Sequence, residues 1–352
     1  MSVASVAAGM PAPSRFRDAQ IEMAHGAGGI ASRRLVENLI APILMGQSSE
    51  PLGDAAQVKL GTAQVAFTAD SFVVSPLRFP GGSIGELAVN GTANDLAVSG
   101  ARPEAMVVTF IVEAGLPSVR LGAEVEAMAE AASRAGIAIV GGDTKVVEHG
   151  KADGLYITTA GIGRPLSGIR LSPASVRPGD RILLSGPIGD HGITILLARG
   201  ELDIEAELCS DTRCVFSMVA TLAQAAGPSL HWMRDPTRGG VATSLNELAR
   251  DAALGILIEE ASVPVRDSVR GACELLGLDP LHIANEGQFL AVIAADRASA
   301  ALDAMRATPG GADACIIGEV VEQPQATVLC KSGFGGTRVI DMLVGDPLPR
   351  IC

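Results

Sequence analysis

The chain has 352 residues, 39 acidic and 27 basic, for a formal net charge of −12. That balance excludes a general nucleic-acid binder, which needs a basic footprint, and a protein that coats an anionic membrane surface. No apolar run reaches the roughly 18 residues that span a bilayer.

In chain order, residues 1–42 read as a flexible N-terminal segment. Residues 1–20 carry no hydrophobic period and are expected to be disordered, and Met1 to Gly9 has no basic flank, so no signal peptide is expected. His25-Gly26-Ala27-Gly28-Gly29 forms a glycine loop, and Ser32 to Ile40 has the spacing of a short amphipathic helix. A first domain is predicted over 43–163. Val65 to Ala69 reads as a strand closed by Asp70, and Ile84 to Ser99 as a helical pattern interrupted at Gly91. Ala105 to Val112 is a strand and Ser118 to Ala135 a helix with Ser118 as its N-cap; Ile137 to Val140 and Leu155 to Ile162 are further strands. A second domain is predicted over 164–338, with strands at 181–185, 256–259, 289–293, 315–320 and 326–329. Its helices fall at 193–199, 214–226, 241–253 and 265–276. Both halves are mixed, so the fold class is α/β (α+β) with two domains. With 48% hydrophobic but only 3% aromatic residues, the cores are built from Ala, Val, Leu and Ile.

Residues 339–352 form a tail outside this pattern. Asp346-Pro347-Leu348-Pro349-Arg350-Ile351-Cys352 holds two prolines that disfavour helix. It is expected to be extended, exposed and mobile, a thiol on a semi-rigid arm suited to carrying a group between two sites. The six cysteines, Cys209, Cys214, Cys273, Cys315, Cys330 and Cys352, make no C-x-x-C pair. Structural zinc therefore has little support, and the scattered thiols fit a reducing cytoplasm.

Acidic and glycine-rich turns recur at element ends: Thr68-Ala69-Asp70-Ser71, Asn90 to Asp95, Gly141 to Lys145, Arg234 to Gly240 and Asn285 to Gln288. Carboxylates on separate elements can converge on Mg²⁺, a hard cation that bridges phosphates. Glycines let backbone N–H groups approach those phosphates, and Lys145 and Arg238 carry charge to neutralise them. Neither a Walker A sequence nor a dinucleotide fingerprint is present. Any one of these turns reads equally as a local turn or cap, with Asp235 capping a helix or Asp143 fixing a β-turn. Together they point to a nucleotide-phosphate and Mg²⁺ site.

Several segments carry a family resemblance: Phe79-Pro80-Gly81-Gly82, Asn90 to Ser99 (NGTANDLAVS), Gly142 to Val147 (GDTKVV), Arg234 to Gly240 (RDPTRGG), Ala284 to Gly287 (ANEG) and Pro349 to Cys352 (PRIC). From about His25 to the end, the chain resembles the HypE family of hydrogenase maturation carbamoyl dehydratases. These belong to the PurM-like (aminoimidazole ribonucleotide synthetase) superfamily. The internal motifs are shared across the superfamily, whereas GDTKVV and PRIC are specific to the family. The resemblance implies a PurM-like two-domain fold whose N-terminal domains pair through a β-barrel in a homodimer. It implies ATP-dependent dehydration of a carbamoyl group on Cys352 to a thiocyanate, the source of the cyanide ligand of [NiFe] hydrogenase iron. Its implied partners are a HypF-type carbamoyltransferase and a HypC–HypD scaffold complex.

By position, the resemblance implies Asp70, Asp95 and Asp235 as Mg²⁺ ligands. Lys145 would contact phosphate beside Asp143, with Asn94, Thr144, Gly28, His25 and Arg238 around the nucleotide. Glu286 would handle the proton and Cys352 carry the substrate. Gln288 departs from the Lys common after ANEG in relatives, which removes a cationic role there. Two other functions use the same motifs: a small-molecule kinase or synthetase of the superfamily, resembling selenophosphate synthetase or thiamine monophosphate kinase, and a non-catalytic scaffold whose tail only docks partners.

Overall fold

The computed structural model describes residues 16–45, 52–200, 206–345, 348 and 350–352. Residues 1–15, most of the stretch expected to be disordered, lie outside them, as do Asp346, Pro347 and Pro349 of the tail. Two short helices, α1 (Ile30–Leu35) and α2 (Ala41–Leu44), open the described chain and are joined by a π-wound turn, Val36–Ile40. The first half then runs through β1 (Ala56–Leu60), β2 (Ala63–Phe72), the ribbon β3 (Arg78–Phe79) and β4 (Gly82–Ser83), α3 (Ile84–Val98), β5 (Ala101–Glu113), α4 (Ser118–Ala135), β6 (Ala138–Val147) and β7 (Leu155–Pro165). The sheet order is β1-β2-β7-β5-β6, antiparallel except where β6 lies parallel to β5.

This sheet is covered on one face only. On β2, Ala66, Thr68 and Phe72 point inward against α3, while Phe67, Ala69 and Ser71 face out, the period-two alternation of a half-buried strand. The outward face carries Val58, Leu60, Phe67, Val107, Ile111 and Ile162, all exposed, an apolar surface of the kind that marks an interaction site.

The second half contains β8 (Arg181–Leu184), α5 (Asp190–Ala198), α6 (Phe216–Ala226), β9 (Leu230–Arg234), α7 (Gly240–Ala252), β10 (Gly255–Glu259), α8 (Asp267–Leu276), β11 (Leu290–Ile293), α9 (Ala298–Arg306), β12 (Cys315–Val321), β13 (Thr327–Lys331) and β14 (Thr337–Ile340). Its sheet, β14-β13-β10-β12-β8-β11-β9, is buried on both faces. Ile182 and Leu184 pack with α7, whereas Leu183 packs with α6 and α9.

Helix α3 ties the halves together. Thirteen of its fifteen residues are buried, and it contributes to cores on both sides. The interruption expected at Gly91 does not occur. A Cβ there would lie 2.9 Å from the Phe72 ring, so glycine serves close packing against β2, and burial outweighs its weak helix propensity. Two other local expectations change. The N-cap of α4 is Pro117, with Ser118 already inside the helix. The Gly141 to Lys145 turn is the middle of β6, where Gly142 lets the strand pass β5 at a register shift: a Cβ on it would meet the Val108 carbonyl at 1.7 Å.

The end of the tail is docked rather than exposed. Leu348 and Ile351 are buried in the first core, and Cys352 packs against it half-buried. The Val73 amide donates to the Cys352 carbonyl at 3.0 Å and the Ser75 amide to the Arg350 carbonyl at 3.3 Å. Two apolar side chains and free backbone acceptors thus find partners that solvent exposure would forgo.

Candidate active site

The acids expected to gather do so at one end of both sheets. Asp70 is near the end of β2, Asp95 in the last turn of α3, and Asp235 just after β9, before α7. A fourth, Asp54, precedes β1 and joins them. Oxygens of Asp54, Asp95 and Asp235 all lie within 4.8 Å of one another. They line a cavity of about 290 Å³ together with Asp70, Gly28, Thr68, Thr237, Arg238, Thr243 and Glu247. The Thr68 hydroxyl sits 3.0 Å from an Asp95 oxygen and 2.7 Å from the Asp54 carbonyl. Arg234 pairs with Asp54 at 3.1 Å and Glu247 at 2.7 Å, so the acids outnumber the bases that face them.

The electrostatics follow from that imbalance. Burial first, then neighbouring acids against the pull of Arg234, push Asp54 up to about 6 and Asp235 up to about 8. Burial and the charges of Asp235, Asp54 and Asp70 raise Asp95 well above the ordinary carboxylate range. Burial raises Asp70, with Arg238 pulling the other way. Buried acids that raise one another's proton affinity in this way would be relieved by a cation's charge. Three oxygens at this spacing can close on Mg²⁺, so the donor set fits that ion, Asp54 included.

Glu286 is buried at 3% exposure, and its Oε1 has no hydrogen-bond partner. Burial, then Asp235, Asp70 and Asp211, raise its proton affinity strongly. The Thr243 hydroxyl, on the cavity wall, is likewise buried without a partner. The unsatisfied Thr243 hydroxyl on the wall of a polar cavity fits a ligand that supplies the missing hydrogen bond, while Glu286 lies outside the residues that line it. The Glu286 backbone is held by others: its amide and that of Gly287 donate to Asp211 at 3.0 and 3.2 Å. Asn285 bonds the Gly189 amide and the Pro236 carbonyl, locking this segment beside Asp235.

The remaining expected residues divide. Arg238 lines the cavity and donates to the Gly26 carbonyl at 2.9 Å, which lays the glycine loop over it. A Cβ on Gly28 would meet the Arg238 Cβ at 2.5 Å, and Gly28 has φ +79°, so only glycine fits. His25 is not in the cavity: its Nδ1 accepts from the Glu22 amide and its Nε2 faces Asp18 at 2.8 Å. Asn94 does not line it either. Its side chain bonds the Arg213 carbonyl, the Glu286 carbonyl and the Val215 amide. Asp235 caps no helix, since the N-cap of α7 is Gly239.

Asp143, Thr144 and Lys145 lie on β6, exposed, with Lys145 paired to Asp143 at 2.6 Å. Asp70 aligns with Thr159, Thr159 with Val108, and Val108 with Gly142, so three strand spacings, about 14 Å, separate Asp70 from β6. Asp143 and Lys145 pair with Thr109 and Ile111, which places both on the open face of the sheet, opposite α3. Within this chain they do not meet the acid cluster.

Cys352 docks at Val73, three residues beyond Asp70 and so about 10 Å along an extended chain from the cavity wall. Between them the Phe72 ring packs on Gly91, whose missing Cβ would sit 3.9 Å from Glu286 Oε2. Asp54 and the residues that hold the tail escaped sequence reasoning. Gly53-Asp54 is a sixth acid–glycine turn and was open to the same pattern.

Comparisons with known proteins agree with this architecture. Residues 52–164 match the AIR synthase related protein N-terminal domain and residues 177–331 its C-terminal domain. The chain is 50% identical over 337 residues to a protein named carbamoyl dehydratase HypE from Azotobacter vinelandii, covering 96% of this chain and 98% of that one. Among solved structures, a HypE–HypF complex superposes with TM-score 0.83 at 42% identity, covering 88% of this chain and 99% of that one. A HypE crystallised with ATP gives TM-score 0.79 at 42% identity, covering 95% and 100%.

Proposed function

This chain belongs to the HypE family of carbamoyl dehydratases, and from that premise we propose that it dehydrates a carbamoyl group carried on its own Cys352 to a thiocyanate during [NiFe] hydrogenase maturation. The observation that carries this reading is the docked tail, whose terminal residue is bound at Val73, three residues along the chain from Asp70 of the acid cavity. The relative solved with ATP supports a nucleotide in that cavity. At about 290 Å³ it suits the phosphate end of the nucleotide rather than the whole molecule.

An amide oxygen is a poor leaving group, and ATP supplies the phosphoryl group that makes it a good one. Asp54, Asp95 and Asp235, with Asp70 beside them, would hold Mg²⁺, whose charge would offset the repulsion that raises their proton affinity. Arg238 and the glycine loop would cover the phosphates. One N–H proton leaves as the oxygen is phosphorylated, and Glu286 takes the remaining N–H proton as the C–O bond breaks, phosphate departs and the C≡N bond completes. Its raised proton affinity makes it a strong base once ionised, and burial excludes the water that would hydrolyse an activated thiocarbamate.

Lys145 and Asp143 enter through a second copy. Pairing the open apolar faces of two first-half sheets would build a homodimer and bring β6 of one chain toward the cavity of the other. A HypF-type carbamoyltransferase would load Cys352, as the HypE–HypF complex of a relative suggests. A HypC–HypD scaffold would receive the cyanide in the cytoplasm.

Mass spectrometry of the C-terminal peptide tests the reaction. After loading by the partner, ATP should convert the carbamoyl form to one lighter by one water, and a Cys352→Ala chain should do neither. Turnover that survives deletion of residues 348–352 would point instead to a small-molecule kinase.

A further inference from the structure

His191 is fully buried in α5 and sits between the tail and the 210–212 loop. Its Nε2 is 3.0 Å from the Ile351 carbonyl and its Nδ1 2.7 Å from the Ser210 hydroxyl. A carbonyl can only accept, so Nε2 carries the hydrogen and Nδ1 accepts from Ser210. The Ser210 oxygen in turn accepts from the Thr212 amide at 3.1 Å. The donor sense thus runs one way, from the loop through His191 to the tail. The ring is stacked edge-on against Phe79 at 5.6 Å, which fixes its plane. Burial also keeps the imidazole neutral, with its pKa lowered to about 4.

The same loop reaches Glu286. Asp211, next to Ser210, accepts the Glu286 and Gly287 amides. The start of α5 is tied to this segment by Asn285, which accepts the Gly189 amide at 2.7 Å. Other holds on the tail include backbone bonds to Val73 and Ser75, Arg199, whose Nη2 donates to the Arg350 carbonyl at 2.9 Å, and Arg350 itself, which pairs with Asp153 at 2.5 Å and donates to the Val73 carbonyl at 3.3 Å. Against them works the Arg350 backbone, held at φ +59° in the left-handed region that a non-glycine residue adopts at a cost. The docked state therefore rests on the burial of Leu348 and Ile351, one ion pair and a few hydrogen bonds, opposed by local strain.

We propose that His191, set in one tautomer by Ser210, is a positioning residue that latches the Ile351 carbonyl and so holds Cys352 docked at Val73. It touches no reacting atom. It aligns the tail with the same loop that aligns the base. The role in the reaction rests on the dehydratase reading above; the latch itself does not. Weakening the latch favours the undocked tail, so two steps change in opposite directions. Loading by an external transferase, which needs the tail outside, is not slowed, whereas dehydration, which needs it inside, is.

The test begins with the free protein and its C-terminal peptide. Iodoacetamide labelling of Cys352, read by mass spectrometry, should quicken about five- to tenfold in His191→Ala and by less in Ser210→Ala, the range for losing one buried hydrogen bond. His191→Gln, which keeps an N–H donor, should restore slow labelling. Ser210→Ala removes only a hydroxyl from the loop and keeps the test open if His191→Ala does not fold. With the transferase and ATP, loading should hold or rise in the variants while dehydration of the loaded thiol falls. Unchanged labelling in folded His191→Ala or Ser210→Ala overturns the latch, as does a parallel fall in loading and dehydration. Faster labelling in a protein whose wild type never dehydrates the loaded thiol upholds the latch and removes the dehydratase reading.

Discussion

The side-chain amide of Asn94, on α3, donates to the backbone carbonyl of Glu286, on the far side of the domain boundary, at 3.0 Å. It also donates to the Arg213 carbonyl and accepts the Val215 amide, so all its capacity apart from one lone pair is spent on the second half of the chain. Asn94→Ala would leave two carbonyls and an amide buried without partners. We expect a loss of about 3 kcal/mol in urea unfolding, from roughly 1 kcal/mol per orphaned group. A loss under about 0.5 kcal/mol would mean these groups find other partners.

Glu286→Gln keeps the size and the backbone contacts but cannot take a proton. ATP binding should persist while dehydration of loaded Cys352 slows by about a hundredfold or more. Wild-type rates would remove Glu286 from the chemistry.

Gly91→Ala sets two effects against each other. Alanine gains about 1 kcal/mol of helix propensity, but its Cβ would press on the Phe72 ring at 2.9 Å, an overpacking cost of about 1–3 kcal/mol. The ring is boxed between α3 and the docked tail, so the second effect should win and the melting temperature fall. A rise would show that Phe72 can move aside.

Asp54 and Asp235 are pushed up to about 6 and about 8. A raised carboxylate stabilises the fold when protonated and loses that contribution as pH rises through its folded value. Mg²⁺ needs the ionised forms and competes with those protons. Without nucleotide, Mg²⁺ should therefore raise the melting temperature more at pH 8 than at pH 5, and not at all in Asp95→Asn. Equal shifts at both pH values would argue against this cluster as the metal site.

If Lys145 acts in the cavity of a second copy, Lys145→Ala and Glu286→Gln should each be inactive alone. Mixed dimers assembled from the two should recover dehydration, because one of their two sites carries neither substitution. No recovery in verified mixed dimers would place Lys145 elsewhere.

Much of the acid cluster was legible because its members fall near the ends of strong hydrophobic segments, Asp95 and Asp235 with a glycine four residues away. That pattern reported chemistry without geometry. It grouped Lys145 with Asp95, although the GDTKV segment is an edge strand facing away from α3; alternation along β6 is masked because every residue of the strand is exposed up to Val146. It also misread Gly91 as a break, since only the approach of Phe72 from another strand explains a glycine inside a fully buried helix. The docking of the tail was hidden for a like reason. Its partners, Val73, His191 and Arg199, are 150 to 280 residues away in sequence, and a proline-stiffened end has no local signal that says where it will rest.

The burial of α3 on all sides bears on how the molecule comes apart. A helix that completes two cores at once cannot leave one without exposing the other, and its buried Asn90 and Asn94 are satisfied only by residues from the second half. The first half carries no self-sufficient interior, since its main core also takes Ile193, Ile195, Val269 and Ile283 from the second. The protein should therefore melt in a single cooperative transition despite its two sheets, and a fragment cut at residue 165 should be a poor folder rather than a miniature of the parent.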